Sequence, residues 1–359
     1  MDTVSVSGLP ELQAHLEQAA EDASIPLDAK LLDTVELQLT ETNIPSLLPL
    51  LLPTLTRILK STSQDPTPLL SFTIKLLASL SFTQALAVAD APSLLAALRS
   101  PLPGAQLLAL AILNKAAASP SDASILSSLP ELVHELVRCW LATRDVGSGQ
   151  RATRVLGNLL GTDCDLVPAV TNGVSASTTD VVRRRLPGHG RLWRLILMDH
   201  HCLSLIQSLC SPSNSDHDSP RPIQAVTLSQ GRLLGLLPRL AALNMRPLTQ
   251  CAFADLFPLD QGTSQLVGRG LLQWATLNMV DKSDLLMRLN LIGFIETFVS
   301  IMRVSQRTNQ RDQVVKKIVL AAIRDDPDVK SGLETLPDRT VEEESEPLRS
   351  YIAELMAEQ

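Results

Sequence analysis

Apolar residues along this 359-residue chain gather into leucine-rich segments of 12–20 residues, each bounded by Pro, Gly, Ser or Asp. Within a segment they repeat at helical spacing. In PTPLLSFTIKLLASLSF, Leu69, Leu70, Ile74, Leu76 and Leu77 recur on one face, which predicts an amphipathic helix. Ser or Asp before a segment, and Pro at its start, act as entry signals. Examples are Ser119-Pro120, and Pro103-Gly104 before AQLLALAILNKAA. The run IPSLLPLLLPTL is cut by Pro45, Pro49 and Pro53 and predicts short helices buried against neighbours.

The segments resemble one another. LLSFTIKLLASL (69–80), AQLLALAILNKAA (105–117), QRATRVLGNLLGT (150–162) and GRLWRLILMDHHCL (190–203) follow proline- or glycine-bearing turns at intervals of 36–45 residues. Between them lie SLLPLLLPTLTRIL (46–59), SLLAALRS (93–100) and SSLPELVHELVRCWL (127–141). One helical hairpin about every 40 residues is the armadillo or HEAT period. A single hairpin cannot bury its apolar face, so hairpins must stack into a continuous core. The expected fold class is all-α, an α-solenoid of HEAT/armadillo-like hairpin repeats. The array is expected over 1–210, with an irregular insertion at about 165–189. A low-complexity loop follows at 211–228, where SPSNSDHDSPRP has no means of packing. Further repeats are expected over 229–359, ending in TVEEESEPLRSYIAELMAEQ, an acidic amphipathic segment suited to cap the stack.

Composition agrees. Hydrophobic residues make up 45% of the chain and aromatics 3%, with 68 leucines but one Tyr, six Phe and three Trp. Strands draw on aromatic and β-branched residues and helices on Leu and Ala, so an all-β fold is excluded. So are wholesale disorder and a binder that stacks RNA bases on exposed rings. Between Lys75 and Lys115 only Asp90 and Arg99 are charged, but Pro92, Pro101, Pro103 and Gly104 divide the stretch. A membrane span needs about 20 unbroken apolar residues, so none is expected.

Net charge is −7, unevenly spread. Residues 1–42 hold nine acids against Lys30, and residues 183–246 hold nine arginines against three acids. This asymmetry reads either as solvated helix faces or as the mark of a partner. Five scattered cysteines without a C-x-x-C fit a reducing compartment and buried, inert thiols. The start, MDTVSVSGLPELQ, has no signal-peptide pattern, which points to the cytoplasm, with the nucleus also open.

No catalytic set emerges. Asp199-His200-His201-Cys202 spells the signature of membrane S-acyltransferases, but it lacks their cysteine-rich zinc module and spans, and it reads as coincidence within a leucine-rich helix. No C-x₂-C or H-x₃-H spacing gathers His189, His200, His201, Cys202 and Cys210 around a metal. The turns Gly147-Ser148-Gly149 and Gly188-His189-Gly190 are not followed by GK[ST], so no phosphate cradle is expected. The chain is read as no enzyme, with no cofactor, no metal and no small-molecule substrate.

Two sets of residues are candidates for partner binding. Asn114, Asn158, Asn244 and Asn278 stand late in apolar helices, where Asn is a poor helix former. Their amides could hold an extended partner along a concave groove, as in armadillo arrays, or could cap helix ends through αL turns. The basic set Arg183, Arg184, Arg185, Arg191 and Arg194 reads as a site for an acidic protein surface or as a plain exposed loop, and less readily as a phosphate site.

GRLLGLLPRLAALNMRPLTQ, LVGRGLLQWATLNMVDKSDLLMRLNLIGFIETFVSIMRV and LPDRTVEEESEPLRSYI together resemble a fungal proteasome regulatory-particle base-assembly chaperone family. That family is also labelled as DNA mismatch repair proteins and is similar to the animal 26S proteasome non-ATPase regulatory subunit 5. The resemblance implies a curved stack of HEAT-like hairpins that holds the C-terminal domains of proteasomal AAA ATPase subunits during base assembly. It carries no contact residue onto a numbered position. The expected function is therefore a non-enzymatic protein-binding scaffold of that kind. The alternatives are a DNA mismatch repair accessory factor and a peptide-binding, armadillo-type adaptor or transport receptor.

Overall fold

A helix needs its first N–H groups satisfied, and this chain supplies side-chain caps at half of its described helix starts. Side chains of Asp28, Ser81, Asp90, Ser119, Asp145, Asp199, Asp260, Asp284, Thr308 and Asp326 each accept from a backbone N–H two or three residues on. The computed structural model describes residues 6–61, 64–166, 187–212, 221–253 and 255–357. Among these residues there is no strand. The chain is all-α, an α-solenoid of helical hairpins, and its contacts divide it into two units, 1–116 and 117–359.

The first unit contains α1 (Leu9–Glu21), α2 (Ala29–Glu36), α3 (Ile44–Ser61), α4 (Thr67–Leu76), α5 (Phe82–Val88), α6 (Ala91–Arg99) and α7 (Pro103–Asn114). Helix α3 packs on α1 and α4, and α7 packs on α4, α5 and α6. Leu12 and Leu16 of α1, Leu47, Leu51 and Leu55 of α3, and Phe72 of α4 meet in one core. The prolines predict short helices here, yet α3 is one helix that runs through Pro49 and Pro53. Pro45, Pro49 and Pro53 are exposed and four residues apart, while Ile44, Leu47, Leu51, Leu55 and Ile58 are buried. The carbonyls that lose a partner thus lie on the wet face, and burial of the leucine face offsets the proline penalty.

The second unit contains α8 (Pro120–Ser127), α9 (Pro130–Ala142), α10 (Val146–Asp163), α11 (Arg191–Leu197), α12 (His200–Cys210), α13 (Ile223–Leu243) and α14 (Arg246–Thr249). It continues with α15 (Gln261–Val267), α16 (Leu271–Leu277), α17 (Leu285–Val304), α18 (Asn309–Asp325), α19 (Pro327–Thr335) and α20 (Glu342–Met356). The long helix α13 touches α9, α10, α12 and α17. It begins at Ile223, so the last residues of the stretch read as a loop, 211–228, are helical. That stretch lies inside the second unit.

Helix α17 is long and apolar enough to cross a membrane by length and composition. Its buried residues, among them Met287, Leu291, Phe294 and Phe298, belong to a helix packed on α13, α18, α19 and α20. Of its other apolar residues, Leu285, Leu286 and Leu289 are exposed at its first turns and Val304 at its last.

Candidate partner-binding groove

Helices α10, α13 and α17 lie side by side, with α13 packed on both neighbours. Their N-terminal parts together line one groove of about 590 Å³, and the last turns of α10 and α13, with Ser305 just after α17, line a second of about 400 Å³ with Asn244 and Arg311. The three helices therefore run in the same direction. Gln150 and Arg154 form the α10 wall of the first groove, Leu286 and Asn290 the α17 wall, and Gly231 and Gly235 its floor on α13. A Cβ added at either glycine would meet nothing within 4 Å, so the floor is bare backbone. At the helix starts, large apolar side chains face solvent: Val146 is 63% exposed, Ile223 77% and Leu286 67%.

The floor is held from below by polar side chains of α13. Ser229 donates to the Leu141 carbonyl at 2.8 Å. Buried Gln230 donates to the carbonyls of Cys210 and Met279, both at 2.8 Å. Arg232 donates to the carbonyls of Trp140, Thr143 and Asp145 at 3.0, 2.6 and 3.1 Å. Together these close the ends of α9 and α12 and the turn after α16, groups that no helix can satisfy internally. Burial pulls the Arg232 guanidinium below its ordinary pKa. Arg232 and Arg239 lie over Gly149 and Gly157 of α10, where a Cβ would collide with each guanidinium.

The groove has a one-sided charge. Among the described residues no carboxylate lines it. Helix α13 carries neither Asp nor Glu, and the one acid of α10, Asp163, is buried and accepts from the N–H groups of Leu192 and Trp193 at the start of α11. Glu296 of α17 is paired with Arg339 at 2.7 Å. Arg154 is exposed and makes no ion pair or hydrogen bond with a described residue.

The residues singled out in the sequence are scattered relative to this groove. Asn158 is exposed on α10 and accepts from Arg239 Nη2 at 3.0 Å. Asn244 follows α13, lines the second groove and accepts from the Arg246 N–H at 3.3 Å. Asn278 donates to the Pro258 carbonyl at 2.9 Å and lines a crevice with residues of α15 and α18. Asn114 ends α7 in the first unit. The αL capping expected of Asn244 and Asn278 does not occur: their φ values are −155° and −133°. Arg191 donates to Ser124 Oγ and Arg194 to the His189 carbonyl, so both brace α11. Arg183, Arg184 and Arg185 lie outside the described residues. Sequence reasoning missed the groove residues themselves. The available signal was a pair of glycines one turn apart in a leucine-rich helix, where each costs about 1 kcal/mol relative to Ala.

The Asp199–Cys202 string is not internal to a helix, because α11 ends at Leu197 and Asp199 caps α12, accepting from the Cys202 N–H at 3.1 Å. Burial pushes the Cys202 thiol up to about 12 and the Cys139 thiol up to about 11, far from the thiolate a nucleophile needs. His134 and His201 have ring centroids 4.7 Å apart, and burial followed by His201 holds the His134 imidazole below its ordinary pKa. Among the described residues no group of three or more His, Cys, Asp or Glu side chains could hold a metal ion. Gly188-His189-Gly190 closes a junction instead of cradling a ligand: the Gly188 and Gly190 N–H groups donate to the carbonyls of Cys164 and Asp163, both at 2.8 Å. No family model matches the chain. No curated protein matches it significantly either.

Proposed function

We propose that the chain is a non-enzymatic protein-binding scaffold and that the groove over α13 is where it holds its partner. One observation carries this reading. In a molecule that buries its leucine faces, three parallel helices leave a bare backbone floor beside exposed Val146, Ile223 and Leu286. Contiguous apolar surface rimmed by polar groups marks an interaction site more often than a chance exposure. A specific interface of standard size, about 1,600 Å² in total, would extend beyond the groove onto its walls.

The finer reading is a chaperone for assembly of the proteasome regulatory-particle base, holding the C-terminal domain of an AAA ATPase subunit. It is supported by the family resemblance over 231–250, 266–304 and 336–352, which takes in most of α13 and α20 and all of α17. The mechanism is steric and reversible: while the ATPase domain sits on the scaffold, later subunits cannot dock there. Affinity purification of the full chain from cells, read by quantitative mass spectrometry, tests it. Proteasomal ATPase subunits are expected among the partners, and recovery of partners without any ATPase subunit would defeat the chaperone reading.

A further inference from the structure

We infer that the segment received by the groove is an acidic amphipathic helix of the partner protein. This rests on the groove being the partner site, and it adds the chemistry of what fills it. Gly231 and Gly235 stand one turn apart on α13 with open space above them, so a second backbone can approach closely there. The floor from Gln224 to Gly235 is twelve residues of helix, about 16 Å from end to end, which takes roughly three turns of a helix laid along it. The apolar side of such a helix would cover Val146 and Leu286, the helix-in-groove arrangement.

Charge selects the rest. Arg154 on one wall lacks an ionic partner among the described residues, and Arg232 lies in the floor beside it. The remaining polar lining residues, Gln150, Thr153, Gln224, Thr227 and Asn290, carry amides or hydroxyls and no negative charge. At this end the Asp145 and Asp284 carboxylates are taken up as caps of α10 and α17, accepting from the N–H groups of Ser148 and of Leu286 and Met287, while the first turn of α13 has no side-chain cap. Along the walls a basic segment would meet the like charge of Arg154 and uncharged polar groups. Carboxylates on the upper flanks of the bound helix would reach Arg154 while its leucines seat below.

The test uses the purified full chain and two fluorescein-labelled peptides of about 12 residues, long enough to span the floor. Both carry leucines on one helical face, with glutamates elsewhere in one and lysines in the other. Fluorescence anisotropy is expected to show binding of the glutamate peptide, with the lysine peptide at least about tenfold weaker and the difference shrinking as salt is raised. Arg154→Glu is expected to narrow or reverse the preference. Gly235→Leu fills the floor with a better helix former and is expected to abolish binding without lowering the melting temperature. Equal or tighter binding of the lysine peptide overturns the inference. So does binding that survives Gly235→Leu, displacement of the peptide by a single-stranded oligonucleotide, or no binding of either peptide. If neither peptide binds but Gly235→Leu still removes a captured protein partner, the groove reading stands and only the acidic helix falls. If the glutamate peptide binds as expected but Gly235→Leu leaves partner capture intact, the groove fails as the partner site.

Discussion

At the scale of single residues, the glycines divide by what surrounds them. A Cβ at Gly188 would strike the backbone of Asp163, which cannot move aside because Gly188 and Gly190 are hydrogen-bonded to that same turn. Gly188→Ala is therefore expected to destabilise the protein by about 1–3 kcal/mol. Gly235→Ala meets nothing and is expected to stabilise it by about 0.5–1 kcal/mol through helix propensity alone. Urea unfolding of the two variants checks both signs. What could be read residue by residue from the sequence was local. Ser119 beside Pro120 caps by a short-range bond. The roles of Asn158 and Asn278 were not legible, because their partners, Arg239 and Pro258, are 81 and 20 residues away in the chain.

At the scale of elements, apolar periodicity located most helices, since each must bury a stripe whatever its neighbours are. It misjudged α3, where the prolines fall on the exposed face, and it ran α11 and α12 together across Asp199. The couplings between helices depend on polar side chains that periodicity does not see. Asp326, 2% exposed, caps α19 and accepts two bonds from Arg288 of α17, at 2.8 Å from Nε and 2.6 Å from Nη2. The hydrogen-bonded Arg288 guanidinium holds the Asp326 carboxyl below its ordinary 3.8. A depressed carboxylate contributes stability that is complete above the unfolded value and lost as pH falls through the folded one. Thermal melts should therefore show native protein losing stability below about pH 4, and Asp326→Asn should lose less over the same range. An equal acid dependence in the two proteins would remove the Arg288–Asp326 link from the account.

At the scale of the whole molecule, the leucine excess and the scarcity of rings announced a hairpin stack, and the stack is there in both units. The groove was not legible, because its walls come from residues 146–154 and 286–290 and meet only when α13 lies between them. The net charge of −7 conceals it as well: α10 and α13 together carry four arginines against the single buried Asp163. That is the surface the proposed acidic helix would meet. The most direct measurement places a photoreactive amino acid at position 235 on the floor, and separately at exposed Met198 as a control, and irradiates the full chain in cells. The account predicts a crosslinked proteasomal ATPase subunit from position 235 and none from position 198. Crosslinks from 198 alone, with none from 235, would contradict it.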